Sequence, residues 1–179
     1  MNQQYIIRSA TIDDAELIAR TVCMAVGYDT SHPIYPVFLQ LAKMEHTQYS
    51  YRNTLVAEID GRTIGAIIGY DGALLHELRK PIFPLLERYL GGYIDIEDET
   101  EPGEFYIDSL GVDPEFRGMG IGRALLLAMR DRALAQGHQR VGLIVDYDNP
   151  HAEQLYQLLG FRRVGTKRFL GHDMYHLQM

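Results

Sequence analysis

The heptapeptide Arg117-Gly118-Met119-Gly120-Ile121-Gly122-Arg123 restricts the architecture more than any other part of this chain. It follows a run rich in β-formers, Glu104–Val112 (EFYIDSLGV), which Asp113-Pro114-Glu115 stops. It precedes a helical pattern from Gly120 to Gln136, with Leu125, Ala128, Met129 and Arg132 at helical spacing. Three glycines in five residues let the backbone turn with its N–H groups facing inward. With the helix N-terminus they form a concavity for an anion. The helix dipole contributes only about 0.3–1 kcal/mol at an exposed site; several N–H bonds and the charges of Arg117 and Arg123 add to it. A phosphate is the natural ligand of such a turn. A Walker A loop requires Gly-Lys-Ser/Thr, whereas Gly122 is followed by Arg123-Ala124. The dinucleotide fingerprint G-x-G-x-x-G/A also fails, because from Gly118 it reaches Arg123 and from Gly120 it reaches Leu125.

The flanking sequence supplies strands and helices in alternation. Residues 4–9 read as a strand, and Thr11 with Asp14 forms a capping-box pattern before a helix to about Val26, with Ala15, Ile18, Ala19 and Val22 on one face. A loop with two prolines runs from Tyr28 to Pro36, and a second helix is expected from about Val37 to His46. Thr54–Ile59 and Thr63–Tyr70 are β-rich and flank Asp60-Gly61, a hairpin signal. Residues 72–101 predict one or two short helices, interrupted by Pro81 and Pro84, and then an exposed acidic loop. After the glycine turn and its helix come a strand at Arg140–Asp146 and a helix opened by Asn149-Pro150 and stopped by Gly160. Strands at Arg163–Leu170 and Met174–Gln178 complete the chain. At 179 residues this is one domain, residues 1–179, with 72–101 as an insertion. Consecutive β-α-β units with right-handed crossovers plus a hairpin predict a mixed, twisted α/β sheet.

Charge narrows the ligand further. There are 17 Lys and Arg against 24 Asp and Glu, a net −7, which argues against general nucleic-acid binding. The acidity is concentrated between Tyr89 and Phe116, where Asp95, Glu97, Asp98, Glu99, Glu101, Glu104, Asp108, Asp113 and Glu115 occur with no Lys or Arg. Two readings of this segment stand: a solvated acidic loop, or a field that attracts a cationic ligand such as an amine. The single cysteine, Cys23, lies in an apolar run and reads as a small core residue; it excludes an intrachain disulfide and a CxxC zinc site. The seven histidines form no metal motif. The first residues lack the basic and apolar regions of a signal peptide, and no apolar run is long enough to span a bilayer, so a cytoplasmic location is expected.

Three elements in order, YIDSLGVDPEF, then RGMGIGRA, then NPHAEQLYQLLGF, resemble the GNAT superfamily of N-acetyltransferases. The resemblance covers about Glu104 to Phe161, and the N-terminal strand, helices and hairpin fit it too. It implies a single-domain mixed, twisted and splayed sheet with helices on both faces. It implies acetyl-CoA as cosubstrate, with no metal, and direct transfer of the acetyl group to a primary amine in a ternary complex. The backbone of Gly118, Met119, Gly120, Ile121, Gly122 and Arg123 would bind the pyrophosphate, and Arg117 fills the Q/R position of the motif. The backbone of Leu110, Gly111 and Val112 would pair with the pantetheine arm where the sheet splays. Asn149 matches the family asparagine that contacts pantetheine, and Tyr156 the tyrosine near the thioester sulfur. Each has a structural alternative: Asn149 before Pro150 is also a good N-cap, and Tyr156 shares a helix face with Ala152, Leu155 and Leu159. In this family the loop bearing Tyr28, His32 and Tyr35 often borders the acceptor; a merely exposed loop is the alternative. Dimers are common in the family, and the β-rich C-terminus offers an interface for a homodimer.

Acetyl transfer to an amine must remove a proton. An alkyl ammonium of pKa ~10.4 is neutral about once in a few thousand molecules at pH 7, so a carboxylate or a water chain ending on one must accept it. Asp108 is the sequence candidate, two residues before Leu110 and, by strict alternation, on one face with Tyr106 and Leu110. Its alternatives are a structural carboxylate or a substrate anchor. Tyr106 stands where some members carry a glutamate base, which leaves a water relay open. The expected acceptor is a cationic small molecule or a peptide or protein amine, without nucleic acid or membrane as partner. The alternative function is a non-catalytic acyl-CoA sensor on the same fold.

Overall fold

The computed structural model describes residues 4–179. Seven strands form one sheet in the order β1-β2-β3-β4-β5-β7-β6. They are β1 (Ile6–Ser9), β2 (Thr54–Ile59), β3 (Arg62–Asp71), β4 (Phe105–Val112), β5 (Val141–Asp146), β6 (Arg162–Phe169) and β7 (His172–Gln178). The helices are α1 (Ala15–Ala25), α2 (Tyr35–Lys43), α3 (Leu75–Arg79), α4 (Ile82–Leu90), α5 (Ile121–Ala135) and α6 (Pro150–Leu158). The order matches the sequence expectation throughout. Among the described residues no helix is long and apolar enough to cross a membrane.

The elements form for local reasons that the sequence states. The Asp14 carboxylate accepts the Thr11 N–H at 2.8 Å and closes the entry to α1. Pro81 separates α3 from α4, as expected, whereas Pro84 lies in the first turn of α4, where a missing N–H costs no helix bond, and does not break it. The helices divide between the two sheet faces. Ile18, Val22 and Cys23 of α1, Val37 and Leu41 of α2 and Leu86 of α4 pack with Val56, Ala66 and Ile68 on one face. Leu125, Leu126 and Met129 of α5, with the inner side of α6, pack with Leu55, Ile67, Phe105 and Ile107 on the other. Each large apolar side chain so buried contributes about 1.5–3 kcal/mol.

Two irregularities in β4 create the site. First, β4 and β5 are parallel but pair only at Phe105–Val141 and Tyr106–Gly142, and then separate. Second, the β3–β4 register runs from Ile68–Ser109 to Gly69–Ile107, so Asp108 is an extra residue in β4. This bulge corrects the simple alternation. Asp108 stays with Tyr106 on the α1 side, where both meet Tyr70, whereas Leu110 and Val112 turn to the α5 side with Phe105 and Ile107. The sequence carries a trace of it: the apolar positions 105, 107, 110 and 112 slip out of the two-residue period between Ile107 and Leu110. A bulge bends its strand and increases the local twist, which accords with β4 leaving β5 at this point.

Candidate active site

A cleft of about 840 Å³ occupies the gap between β4 and β5. At one end lies the glycine turn. Gly118 and Gly120 have φ of +79° and +80°, the left-handed conformation that a side chain resists. These two residues redirect the chain from β4 into α5. The first α5 bond runs from the Ala124 N–H to the Gly120 carbonyl at 3.0 Å, so the N–H groups of Ile121, Gly122 and Arg123 have no helical acceptor. Gly122 is helical, and a Cβ there would stand over Val112 and Leu110 at 3.8 and 4.0 Å; its absence keeps the floor of the cleft open. Arg117 Nε donates to the Val112 carbonyl at 3.1 Å, which holds the guanidinium at the rim. The cleft is lined by Leu110, Gly111, Val112, Arg117, Gly118, Gly120, Ile121, Gly122, Arg123, Asn149 and Tyr156, all of them sequence candidates. Met119 is the exception; its side chain is exposed and only its backbone remains available to the turn. These donors, charges and the open floor fit an extended ligand with a phosphate head.

From α6, Asn149 Oδ1 caps the helix by accepting the Ala152 N–H at 3.2 Å. Its Nδ2 makes no hydrogen bond among the described residues and remains a free donor at the cleft, so the capping role does not exhaust the side chain. Tyr156 also lines the cleft, and burial pushes its hydroxyl up to about 12. Such a group holds its proton and acts as a hydrogen-bond donor.

The opposite end of the cleft is acidic and aromatic, lined by Tyr49, Tyr106, Asp108 and Glu99. Glu99 is a correction to the sequence reading, which placed it in an exposed loop. It is 1% exposed, and Thr100 and Glu104 are buried beside it. Arg79, itself buried, explains this burial: its guanidinium bonds the Glu99 carboxylate, the Asp98 carboxylate at 2.9 Å, and the carbonyls of Ile96 and Glu97 at 2.9 and 3.1 Å. Glu99 and Asp108 then share two donors. The Tyr70 hydroxyl lies 3.3 Å from Glu99 Oε1 and 3.1 Å from Asp108 Oδ2, and Gln48 Nε2 lies 3.3 and 3.4 Å from the same oxygens. Ser109 donates to the other Asp108 oxygen at 2.8 Å. Tyr70 has one proton for two carboxylates, so it donates to one of them at a time. Burial and the neighbouring Asp108 push the Glu99 carboxyl up to about 7, with Arg79 opposing. Burial likewise raises Asp108, against the hydrogen bonds from Ser109, Tyr70 and Gln48.

Three other sequence candidates lie elsewhere. Tyr28 and His32 stack on each other with ring centroids 3.8 Å apart, and Asp29 closes the turn beneath them by accepting the Ser31 N–H at 2.8 Å. Tyr35 begins α2 and packs against the α1–α2 core. None of the three lines the cleft; Met24, Ala25 and Val26 at the end of α1 do so instead.

A mixed sheet split open between its parallel strands β4 and β5, with a glycine turn of free N–H groups at one end of the cleft and two carboxylates at the other, forms the site. The chain belongs to the GNAT acetyltransferases: the family described as "Acetyltransferase (GNAT) family" matches residues 24–161. Over 77 residues the chain is 44% identical to the mycothiol acetyltransferase of Gordonia bronchialis, covering 43% of this chain and 24% of that one. Over 81 residues it is 43% identical to the N-alpha-acetyltransferase RimI of Mycobacterium tuberculosis, covering 44% of this chain and 49% of that one. The matched stretches thus span half or less of those relatives. A crystal structure of an acetyltransferase is similar over nearly the full length, with 34% identity, a TM-score of 0.80 and coverage of 97% of both chains. The N-acetyltransferase from Staphylococcus aureus Mu50 shares the fold, with a TM-score of 0.84 at 23% identity over 97% of this chain and 100% of that one.

Proposed function

We propose that this protein transfers an acetyl group from acetyl-CoA directly to a primary, cationic amine, and that the Glu99–Asp108 pair accepts the amine's proton. The observation that carries this reading is the placement of two carboxylates, the buried Glu99 and the part-buried Asp108, on shared donors in the same cleft as the glycine turn. Acetyl-CoA supplies an activated acyl group when bound. The free N–H groups of Ile121, Gly122 and Arg123, with Arg117, Arg123 and Asn149 Nδ2, would hold it. Glu99 with a carboxyl near 7 is divided between acid and base forms at neutral pH, which suits proton transfer at that pH. Asp108 keeps Glu99 basic enough for this role, and Arg79 keeps it from being permanently protonated. Tyr49 and Tyr106 offer ring surface to a cation.

Calorimetric titration tests the cradle first. Acetyl-CoA is expected to bind in the micromolar range, and ATP and NAD more weakly or not at all. Release of free thiol on adding amines then tests turnover; a protein that binds acetyl-CoA and acetylates no amine is the acyl-CoA sensor instead. Tyr156→Phe separates binding from chemistry. A hydrogen bond to a charged group is worth about 1.5–3 kcal/mol, so the loss of this donor lowers kcat by about 10–100-fold. Acetyl-CoA affinity stays nearly unchanged. A large loss of affinity with unchanged kcat would contradict the role given to Tyr156.

A further inference from the structure

The segment Asp95–Glu101, which leads from α4 to β4, forms one wall of the acidic end of the cleft through Glu99. The β6–β7 hairpin forms another, through Phe169 at the end of β6 and Met174 in β7. The two walls are fastened to each other. Glu97 Oε2 accepts the backbone N–H of Leu170 at 3.0 Å, and Glu101 Oε2 pairs with Lys167 Nζ at 3.1 Å. Leu170 sits at the tip of the hairpin with φ +49°, a conformation fixed by the tight turn. Behind the segment, Arg79 grips Ile96, Glu97, Asp98 and Glu99. At its far end the Thr100 hydroxyl donates to the buried Glu104 carboxylate at 2.6 Å, which His176 and Gln178 hold at 2.8 and 2.7 Å from β7. The acidic segment is therefore a strap, held along its middle by α3, at its far end by β7 through Glu104, and by the β6–β7 hairpin through Glu97 and Glu101.

One way a polypeptide acceptor binds is as an extended segment in an open groove, adding backbone hydrogen bonds along its edge. Here the Leu170 N–H is already taken by the Glu97 carboxylate, and the Glu101–Lys167 pair lies beside it across the same gap. We infer that the acceptor is a small free amine, not the N-terminus or a lysine of a polypeptide, and that the strap-to-hairpin fastening sets this choice. This inference rests on the acetyl-transfer reading. The chamber it leaves, with Tyr49, Tyr106 and Phe169 around Glu99 and Asp108, suits a compact ammonium with an apolar or cationic body.

The test uses the full chain and compares spermidine, tryptamine and glucosamine with octapeptides bearing a free α-amino group or an internal lysine, by thiol release. The best small amine exceeds the best peptide in kcat/KM by about tenfold or more, a difference in transition-state binding. In the Glu97→Ala/Glu101→Ala double variant that ratio falls, with peptide turnover rising, while acetyl-CoA affinity measured by calorimetry stays the same. Peptides outrunning the small amines in the unaltered protein overturn the inference. So does an unchanged ratio in the double variant, and so does failure of every small amine while acetyl-CoA binds. Absence of acetyl-CoA binding overturns the underlying reading itself, and calorimetry on the same preparation tells the two failures apart.

Discussion

Glu99→Gln is expected to lower kcat/KM for the amine by about 10²–10⁴-fold, the usual contribution of a positioned general base, with acetyl-CoA affinity preserved. The amide keeps the size of the carboxyl and its contact with Tyr70, but it cannot accept a proton at any working pH. Glu99 lies well away from the glycine turn, at the other end of the cleft, so cradle binding is not touched. The pH profile gives the sharper readout. In the unaltered protein the base form of Glu99 is populated above about 7, so kcat/KM rises with pH through that value. Glu99→Gln removes this limb and leaves only the rise due to deprotonation of the amine itself. Asp108→Asn acts differently. It removes a neighbouring charge that raises Glu99, so the limb moves to lower pH and is not lost. An Asp108→Asn variant that loses the limb, beside a Glu99→Gln variant that keeps it, would exchange the two roles.

The sequence reveals the glycine turn and hides the buried carboxylate proposed as the base for one physical reason. Gly118, Gly120 and the start of α5 are a local device: their conformation and their free N–H groups are set within a few residues, so the spacing displays them. Asn149 and Tyr156 are likewise placed by their own helix. The burial of Glu99 is decided by Arg79 twenty residues earlier and by Tyr70 and Gln48 still farther away. In the local sequence IEDETEPGE it is one acid among several, and such a run looks the same whether water or an arginine solvates it. Arg79 was equally hidden, as one cation in a helical run. The faces of β4 were nearly legible. The alternation that assigns Asp108 to one face is correct up to that residue and fails just beyond it, because the bulge inserts a residue there. The loop candidates Tyr28, His32 and Tyr35 came from the family resemblance alone, and nothing in their own residues marks a site. In this chain the segment between α4 and β4 brings Glu99 to the cleft and supplies part of its wall.

Arg79→Met is expected to cost the most stability of any single substitution near the site. Arg79 is 4% exposed, and its guanidinium reaches four groups of the strap. Methionine fills part of the volume but leaves the Ile96 and Glu97 carbonyls without a donor and the two carboxylates without a cation. Removing one partner of a buried ion pair costs about 3–5 kcal/mol. The direction of the pH dependence follows from linkage. In the unaltered protein Glu99 is raised from 4.5 to about 7 in the fold. Between those values the folded state binds a proton that the unfolded chain releases, so this group's contribution to stability falls as pH rises through the window. Arg79 is the charge that lowers Glu99; without it the folded carboxyl is raised further, and the fall continues to higher pH. The deficit of Arg79→Met relative to the unaltered protein is therefore smaller below pH 7, where Glu99 is neutral in both, and grows above it. Urea denaturation on either side of that pH measures this. The double variant Arg79→Met/Glu99→Gln recovers a large part of the loss above pH 7, because the amide carries no charge to strand, and the coupling between the two sites then gives the worth of the pair directly. A deficit that is independent of pH, or that Glu99→Gln does not relieve, would show that Arg79 serves the carbonyls of the strap alone and does not set the ionisation of the base.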